Sequence, residues 1–470
     1  MSTRRTWRRL AALIAVAALA ASCGSRRTDS ELLAAAGEAS SVAGTAGGAT
    51  AAERGAAGST PGGSGVSSAT GAAPGAAGAA SAPGSADPTA AGVDAGGAPA
   101  GTSCTSSLAP IRIGSVGTQG GIVGTTIADS VRGLQAWAAA VNDRGGLACH
   151  PVEIVVGDDG GDPARHRALL QEFVEQRGAI AFAQLTAPLS GQSGVQYLES
   201  VGVPAIGSEG GSGWFYDSPM YFPQMTSGPA LLEATLRVAA PELVGSGATR
   251  LGTISCQEAQ FCTDADRMWN GGLASEVGLQ PVFRRSASLA QPSFISECLA
   301  AENAGVQVFA VAMDVNSVTR LAKDCAGQGF RPIYLYALST LTLNQKDDPN
   351  LAGAHVVLPL APWFLDTPAL EEFRGALEQF APGLKATTVS LEGWTTGKLL
   401  EAAGVALPAE PTSQDLLDGL WALQGDTLGG LTGGLTFNQG APAPPVVCGS
   451  LVTIAPGAFE SPTGTELRCT

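Results

Sequence analysis

Three histidines, 41 acidic residues and nine cysteines are the side chains of this 470-residue chain best suited to catalysis or metal binding. His150, His166 and His355 fall in turns or on helix surfaces, with no evident Ser or Asp partner, and no G-x-S-x-G nucleophile elbow occurs. An exported hydrolase is therefore the weaker alternative, and no enzyme activity is expected. Asp158, Asp159 and Asp162 could form a carboxylate or calcium cluster. However, Asp162-Pro163 has the N-cap and first-turn proline of a helix, so a solvated capping loop is the expected reading. Gly114, Gly117, Gly120 and Gly121 follow a first strand, where a dinucleotide site would need G-x-G-x-x-G. The spacing differs and fits a tight strand-to-helix turn. With no CxxC and so few histidines, neither metal nor cofactor is expected.

The cysteines divide into one and eight. Arg4, Arg5, Arg8 and Arg9 precede an apolar run over 10–21 that is too short to span a bilayer and has the flanks of an export signal. Small residues then lead to Cys23, in a setting that resembles a bacterial lipobox, although Ala20 stands where such motifs prefer Leu. Residues 1–23 are read as a lipoprotein signal peptide, with Cys23 as the lipid-bearing residue; cleavage nearby without lipid is the alternative. The other eight cysteines form an even set in an exported chain, which favours four disulfides over free thiols. Cys256 and Cys262 flank a short loop, and Cys448 and Cys469 bracket the last strand-like segment. Eight cysteines permit 105 connectivities, which the sequence leaves open; Cys298 and Cys325 sit on two helices flanking one strand, where adjacent packing could join them, and that would leave Cys104 with Cys149.

Residues 24–105 are mostly Ala, Gly, Ser, Thr and Pro and cannot bury enough apolar surface to offset their ordering entropy. They read as a flexible tether spanning on the order of 50 Å. The net charge is −15, and about −19 without the four signal arginines, which does not suit a nucleic-acid binder. No later apolar run is long enough for a transmembrane helix.

From 106 onward, strand-like and helical runs alternate. IRIGSV, VEIVVG, AIAFAQ and VPAIG are continuous apolar strands of a parallel sheet buried on both faces, with helices expected over 125–142, 164–176 and 190–201. A second set follows MYFPQM. It places helices at 229–239, 264–276, 294–303 and 316–328 among the strands RLGTIS, PVFRRS, VQVFAVAM and PIYLYA. Two such sets imply an α/β fold of two doubly wound parallel-sheet lobes. The expected division is 106–227 with 358–436 as lobe 1, and 228–357 with 437–470 as lobe 2. Hinge strands are expected near Thr226, Val357 and Thr436.

IRIGSVGTQGG, AWAAAVNDRGGLACHPVEIVVGDDGGDPARHRALLQEFV and AFAQLTAPLSGQSGVQYLESVGVPAIG together resemble the leucine/isoleucine/valine-binding family of type I periplasmic binding proteins. FRPIYLYA and LTGGLTFNQ extend the likeness toward the C-terminus. The resemblance implies a Venus flytrap that encloses a small-molecule ligand and delivers it to the permease subunits of an ABC importer. The chain would lie outside the cytoplasm, anchored to the membrane through Cys23. A sensory protein of the same fold, feeding a receptor, is the runner-up.

The resemblance also carries ligand contacts onto strand-end loops. In lobe 1 these are Gln119 and Thr126, then Thr186, Pro188 and Ser190, then Glu209, Gly210 and Ser212. In lobe 2 they are Phe261, Asp314 and Leu338. Trp214 can wall the cleft or pack on its own lobe. In amino-acid-binding relatives the third- and fourth-strand loops clamp the ligand carboxylate, and an acid in lobe 2 pairs with the ammonium group. Here Glu209 stands in the carboxylate position and Leu338 in the acid's, with Asp314 the nearest acidic substitute, so a cationic or hydroxyl-rich ligand is expected.

Overall fold

The computed structural model describes residue 104, residues 106–337 and residues 341–470, except the side chains of 121–123, 125 and 126. Cys23, Leu338 and the Thr126 side chain therefore lie outside the described residues.

The first sheet contains β1 (Ile111–Gly117), β2 (Val152–Asp158), β3 (Ala179–Ala183), β4 (Ala205–Ile206) and β5 (Tyr221–Phe222). Its order is β2-β1-β3-β4-β5, parallel throughout. The helices between these strands are α1 (Gly121–Asp143), α2 (Pro163–Glu175) and α3 (Val195–Val201), the last preceded by a 3-10 turn over Gly191–Gly194. Central strands are apolar on both faces because helices cover both, whereas edge strand β2 leaves Glu153 and Val156 exposed.

The second sheet repeats the pattern after α4 (Gly228–Gly245). Its strands are β6 (Arg250–Cys256), β7 (Gln280–Ala287), β8 (Val308–Ala312), β9 (Ile333–Ala337) and β10 (His355–Leu358), ordered β7-β6-β8-β9-β10. Three of its helices are α5 (Gln260–Met268), α6 (Ile295–Asn303) and α7 (Val315–Gly327). Helix α4 outruns its expected end and passes through Pro241, because its apolar face continues to the fully buried Leu243. That burial outweighs the one backbone bond the proline forfeits. The single helix expected over 264–276 starts earlier and is broken by a wide turn, Trp269–Leu273, in which Gly272 adopts φ 123°.

From β10 the chain continues into α8 (Pro368–Phe380), α9 (Thr388–Ala403) and α10 (Ser413–Trp421), and α9 packs along α1. The two backbones approach so closely that a Cβ on Gly133 would overlap the Ser390 carbonyl and one on Gly393 the Ser130 carbonyl. After the small pair β11 (Gln424–Asp426) and β12 (Leu435–Thr436), the chain rejoins the second sheet. It does so as β13 (Cys448–Ala455), antiparallel to β10, with β14 (Ala458–Glu460) and β15 (Arg468–Cys469) paired on β13.

Three segments thus connect the two sheets, and hydrogen bonds tie them together. The Thr226 hydroxyl donates to the Cys448 carbonyl (2.7 Å) and accepts from the Cys448 N–H (3.2 Å). Ala361 N–H donates to the Leu431 carbonyl (2.9 Å). Val357 lies inside β10, in register with Ala337 and Leu451, so that crossing begins after Leu358. Four disulfides join Cys104–Cys149, Cys256–Cys262, Cys298–Cys325 and Cys448–Cys469.

Candidate functional site

In each sheet the strand order reverses beside the first strand, between β1 and β3 and between β6 and β8. Open α/β sheets bind ligands outside the strand carboxyl ends at such a switch point. The loops leaving those ends are therefore the candidate site.

The loop after β1 is sewn to the loop after β3. Thr118 N–H donates to the Thr186 carbonyl (3.0 Å), and the Thr186 hydroxyl lies 3.0 Å from that of Ser130. Beneath them Asp159 is fully buried, contrary to the solvated loop expected from the sequence. Its carboxylate accepts from the Thr118 hydroxyl (2.9 Å), the Gly161 N–H (2.7 Å) and the Ser190 hydroxyl (2.7 Å). His166 Nδ1 lies 2.8 Å from the same carboxylate, so this histidine does have an acidic partner. Burial pushes the Asp159 carboxyl up, but the bonds from His166, Gly161, Ser190 and Thr118 outweigh it and hold the group below its ordinary value. Ser190 bonds to the aspartate and not to the histidine, and all three are buried, so the trio is a structural tie and not a nucleophile–base pair. Asp158 takes the Gln119 N–H (2.9 Å) and the Gly160 N–H (3.0 Å), and Asp162 caps α2. Gln119 is half-buried and Pro188 is exposed.

The loop after β4 rests on a polar network that sequence reasoning missed. Gln184, held at φ +51° just past β3, donates to the Ser208 carbonyl (3.3 Å) and accepts from the Thr396 hydroxyl (2.5 Å). Gln224 accepts from the Ser208 N–H (2.6 Å) and donates to the backbone carbonyl of Glu392 (3.2 Å) in α9. Glu392 is itself buried in mid-helix. The surrounding small residues Ser390, Gly393 and Gly397 were the available hint that this helix face is the tightly packed one.

Glu209 is only 8% exposed, and one carboxylate oxygen accepts from the Gly211 N–H (2.8 Å). Burial pushes its carboxyl up, against bonds from the Ser212 side chain, the Gly211 N–H and the Ser212 N–H. Its other oxygen is buried and has no hydrogen-bond partner among the described residues. The Gly210 carbonyl accepts from the Gly228 N–H (3.1 Å) at the start of α4. Trp214 packs on its own lobe, stacked on Phe215 (3.8 Å between ring centroids), edge-on to Tyr221 and seated over Gly191.

On the second sheet, Phe261 lies in the disulfide-closed stretch from Cys256 to Cys262, half-buried against the lobe's apolar core. Glu258 in the same loop accepts from the Ser288 hydroxyl (2.6 Å) and the Leu289 N–H (2.9 Å), joining the loops after β6 and β7. Asp314 is exposed and caps α7, accepting from the N–H groups of Asn316 (2.9 Å) and Ser317 (3.2 Å). Taken together, the loops 118–120, 184–190, 207–214, 256–262, 288–294 and 313–317 contain three acids and no Lys, Arg or His.

A family model described as periplasmic binding protein matches residues 110–448. Similar solved structures include a fatty acid ABC transporter substrate-binding protein from Thermomonospora curvata. It is 18% identical, with a TM-score of 0.61, over 75% of this chain and 91% of that one. A solute-binding protein of an ABC transporter from R. palustris, in complex with benzoate, is 14% identical with a TM-score of 0.60, over 77% and 97%. The branched-chain amino acid transporter substrate-binding protein LivJ from Streptococcus pneumoniae, in complex with isoleucine, is 13% identical with a TM-score of 0.59, over 77% and 99%. No curated protein sequence matches the chain. The match over 110–448, together with two parallel sheets joined by three crossings, makes this chain a member of the periplasmic binding protein family with the type I, Venus-flytrap fold.

Proposed function

We propose that the chain is an extracytoplasmic solute-binding protein of an ABC importer. It captures a small molecule between its lobes and passes it to permease subunits. The observation that carries this reading is the pairing of two like-ordered sheets whose switch-point loops are built on buried polar ties, with the three connecting segments bonded to one another. Ligand contacts bridging such loops would favour a closed arrangement by their differential free energy. The neighbours named for fatty acid transport, benzoate and isoleucine are all small-molecule binders, which supports a ligand of that size. The ligand contacts fall to Gln119, Thr126, Pro188, Glu209, Gly210, Phe261 and Leu338 with the loops around them, Trp214 serving as a packed wall. Cys23 carries the lipid that holds the protein at the outer face of the membrane, and residues 24–105 give it reach.

The test is to purify the chain natively, denature it, and analyse the released material by mass spectrometry against a blank of unfolded and refolded chain. One intact small molecule, close to one per chain, is expected; a converted product would indicate an enzyme, and nothing above the blank would oppose the reading. Acyl-group mass spectrometry on the mature N-terminus tests the anchor, and an unmodified or missing Cys23 would remove it. A neighbouring permease and ATPase gene pair separates the importer from the sensory alternative.

A further inference from the structure

Assuming that the ligand lies at these strand ends, we infer that the cleft's anion-binding donors are already filled by the chain's own carboxylates, Asp159 and Glu209. It then accepts a ligand whose polar end donates hydrogen bonds, an amine or a polyol, and refuses one that ends in a carboxylate.

Among the described residues, several donors of the strand-end loops are taken by the chain itself. In the loop after β3, the Ser190 hydroxyl is spent on Asp159, and the Thr186 hydroxyl accepts from Gln184 Nε2 (3.2 Å) while facing Ser130. After β1, the Thr118 hydroxyl is also spent on Asp159. After β4, the Gly211 N–H points at Glu209, and Ser212 engages the same carboxylate. In lobe 2 the N–H groups of Asn316 and Ser317 at the start of α7 and the Ser317 hydroxyl are taken by Asp314. A ligand carboxylate would thus meet donors that face internal carboxylates, beside the negative charges of Glu209, Glu258 and Asp314. The named loops carry no cation of their own, and Arg320 of α7, whose guanidinium reaches them, is engaged by the Leu289 carbonyl (2.9 Å) and the Ser317 hydroxyl (3.1 Å). In the loop after β4, what remains unspent among the described residues is an acceptor, the second oxygen of Glu209, nine-tenths buried. A buried acceptor of this kind is satisfied by a ligand N–H or O–H.

The test uses the full chain labelled with 15N-glycine, the Gly211 amide signal being identified by its loss in Gly211→Ala. The probes are sodium acetate and ethanolamine. In the wild type, acetate leaves Gly211 unmoved, while ethanolamine shifts it saturably. In Glu209→Ala the signal moves upfield as its internal acceptor is lost, acetate restores it with at least tenfold higher affinity than in the wild type, and ethanolamine no longer acts. Glu209→Gln keeps the side chain's shape and a carbonyl acceptor. In that variant Gly211 should stay near its wild-type position while ethanolamine affinity falls at least tenfold. An unmoved Gly211 signal in Glu209→Ala, or equal acetate binding in wild type and variant, overturns the self-filled donors. Failure of ethanolamine to act on the wild type overturns the ligand class. If the amide results hold but no small molecule is released on denaturation, the solute-binding reading falls while the internal carboxylates stand.

Discussion

Replacing Asp159 by Asn removes one negative charge and leaves the volume nearly unchanged, so its effect isolates the buried tie beneath the strand-end loops. Each carboxylate oxygen holds two donors. Oδ1 takes Thr118 and Gly161, and Oδ2 takes Ser190 and His166. An amide nitrogen in either place confronts two donors and loses two charge-assisted bonds, each worth about 1.5–3 kcal/mol. Rotation of a hydroxyl and a change of the His166 tautomer recover part of that, so the expected loss is about 3 kcal/mol. The comparison is Asp162→Ala, which removes an exposed helix cap three residues away and should cost about 1 kcal/mol. Urea unfolding followed by tryptophan fluorescence measures both, since Trp214 lies over Gly191, next to Ser190.

The pH dependence is a second readout of the same variant. The folded-state carboxyl of Asp159 is held below its ordinary value of 3.8. Its contribution is therefore present above that value and is lost as pH falls through the folded value, and the gap between wild type and Asp159→Asn should narrow on acidification below about 3.8. An Asp159→Asn variant no weaker than Asp162→Ala, or a gap unchanged in acid, would refute the buried tie.

Other consequences follow from the same physical picture. Opening Cys298–Cys325 by a double Ser substitution should cost about 3.5 kcal/mol for its 27-residue separation, against about 2 kcal/mol for the six-residue Cys256–Cys262 loop, measured as the two shifts in urea midpoint. Gly393→Ala should cost about 1–3 kcal/mol by forcing α9 off the Ser130 carbonyl, and circular dichroism melting that matches the wild type would contradict the close packing. Thr226→Val removes both bonds to Cys448 and should cost about 1–2 kcal/mol, with faster hydrogen exchange at the Cys448 amide, which loses its acceptor.

Much of the fold was legible because parallel strands covered on both faces read as unbroken apolar runs, as Val308–Ala312 does. The sequence left the disulfide connectivity open among many pairings, and the structure joins the pairs that its elements suggested. Cys298 and Cys325 sit on helices flanking β8, and Cys448 and Cys469 fall opposite one another in β13 and β15. Pro241 misled the reading of α4, since a proline usually ends a helix and only tertiary burial reveals that this one does not. The candidate site was the least legible part. Asp159 looks like one acid of an exposed loop because its partners Thr118 and Ser190 lie 41 and 31 residues away, and only the folded sheet brings them together. Glu392 is hidden in the same way, as an acid inside a helix whose depth depends on how closely α1 approaches.

Closure of the two lobes on a small molecule is read by small-angle X-ray scattering on residues 104–470. The ligand-stripped fragment is measured before and after the molecule released from native protein is added back. A saturable decrease in radius of gyration is expected as the lobes turn about the segments near Thr226, Leu358 and Cys448. A radius that stays constant while calorimetry shows the same molecule binding would contradict it.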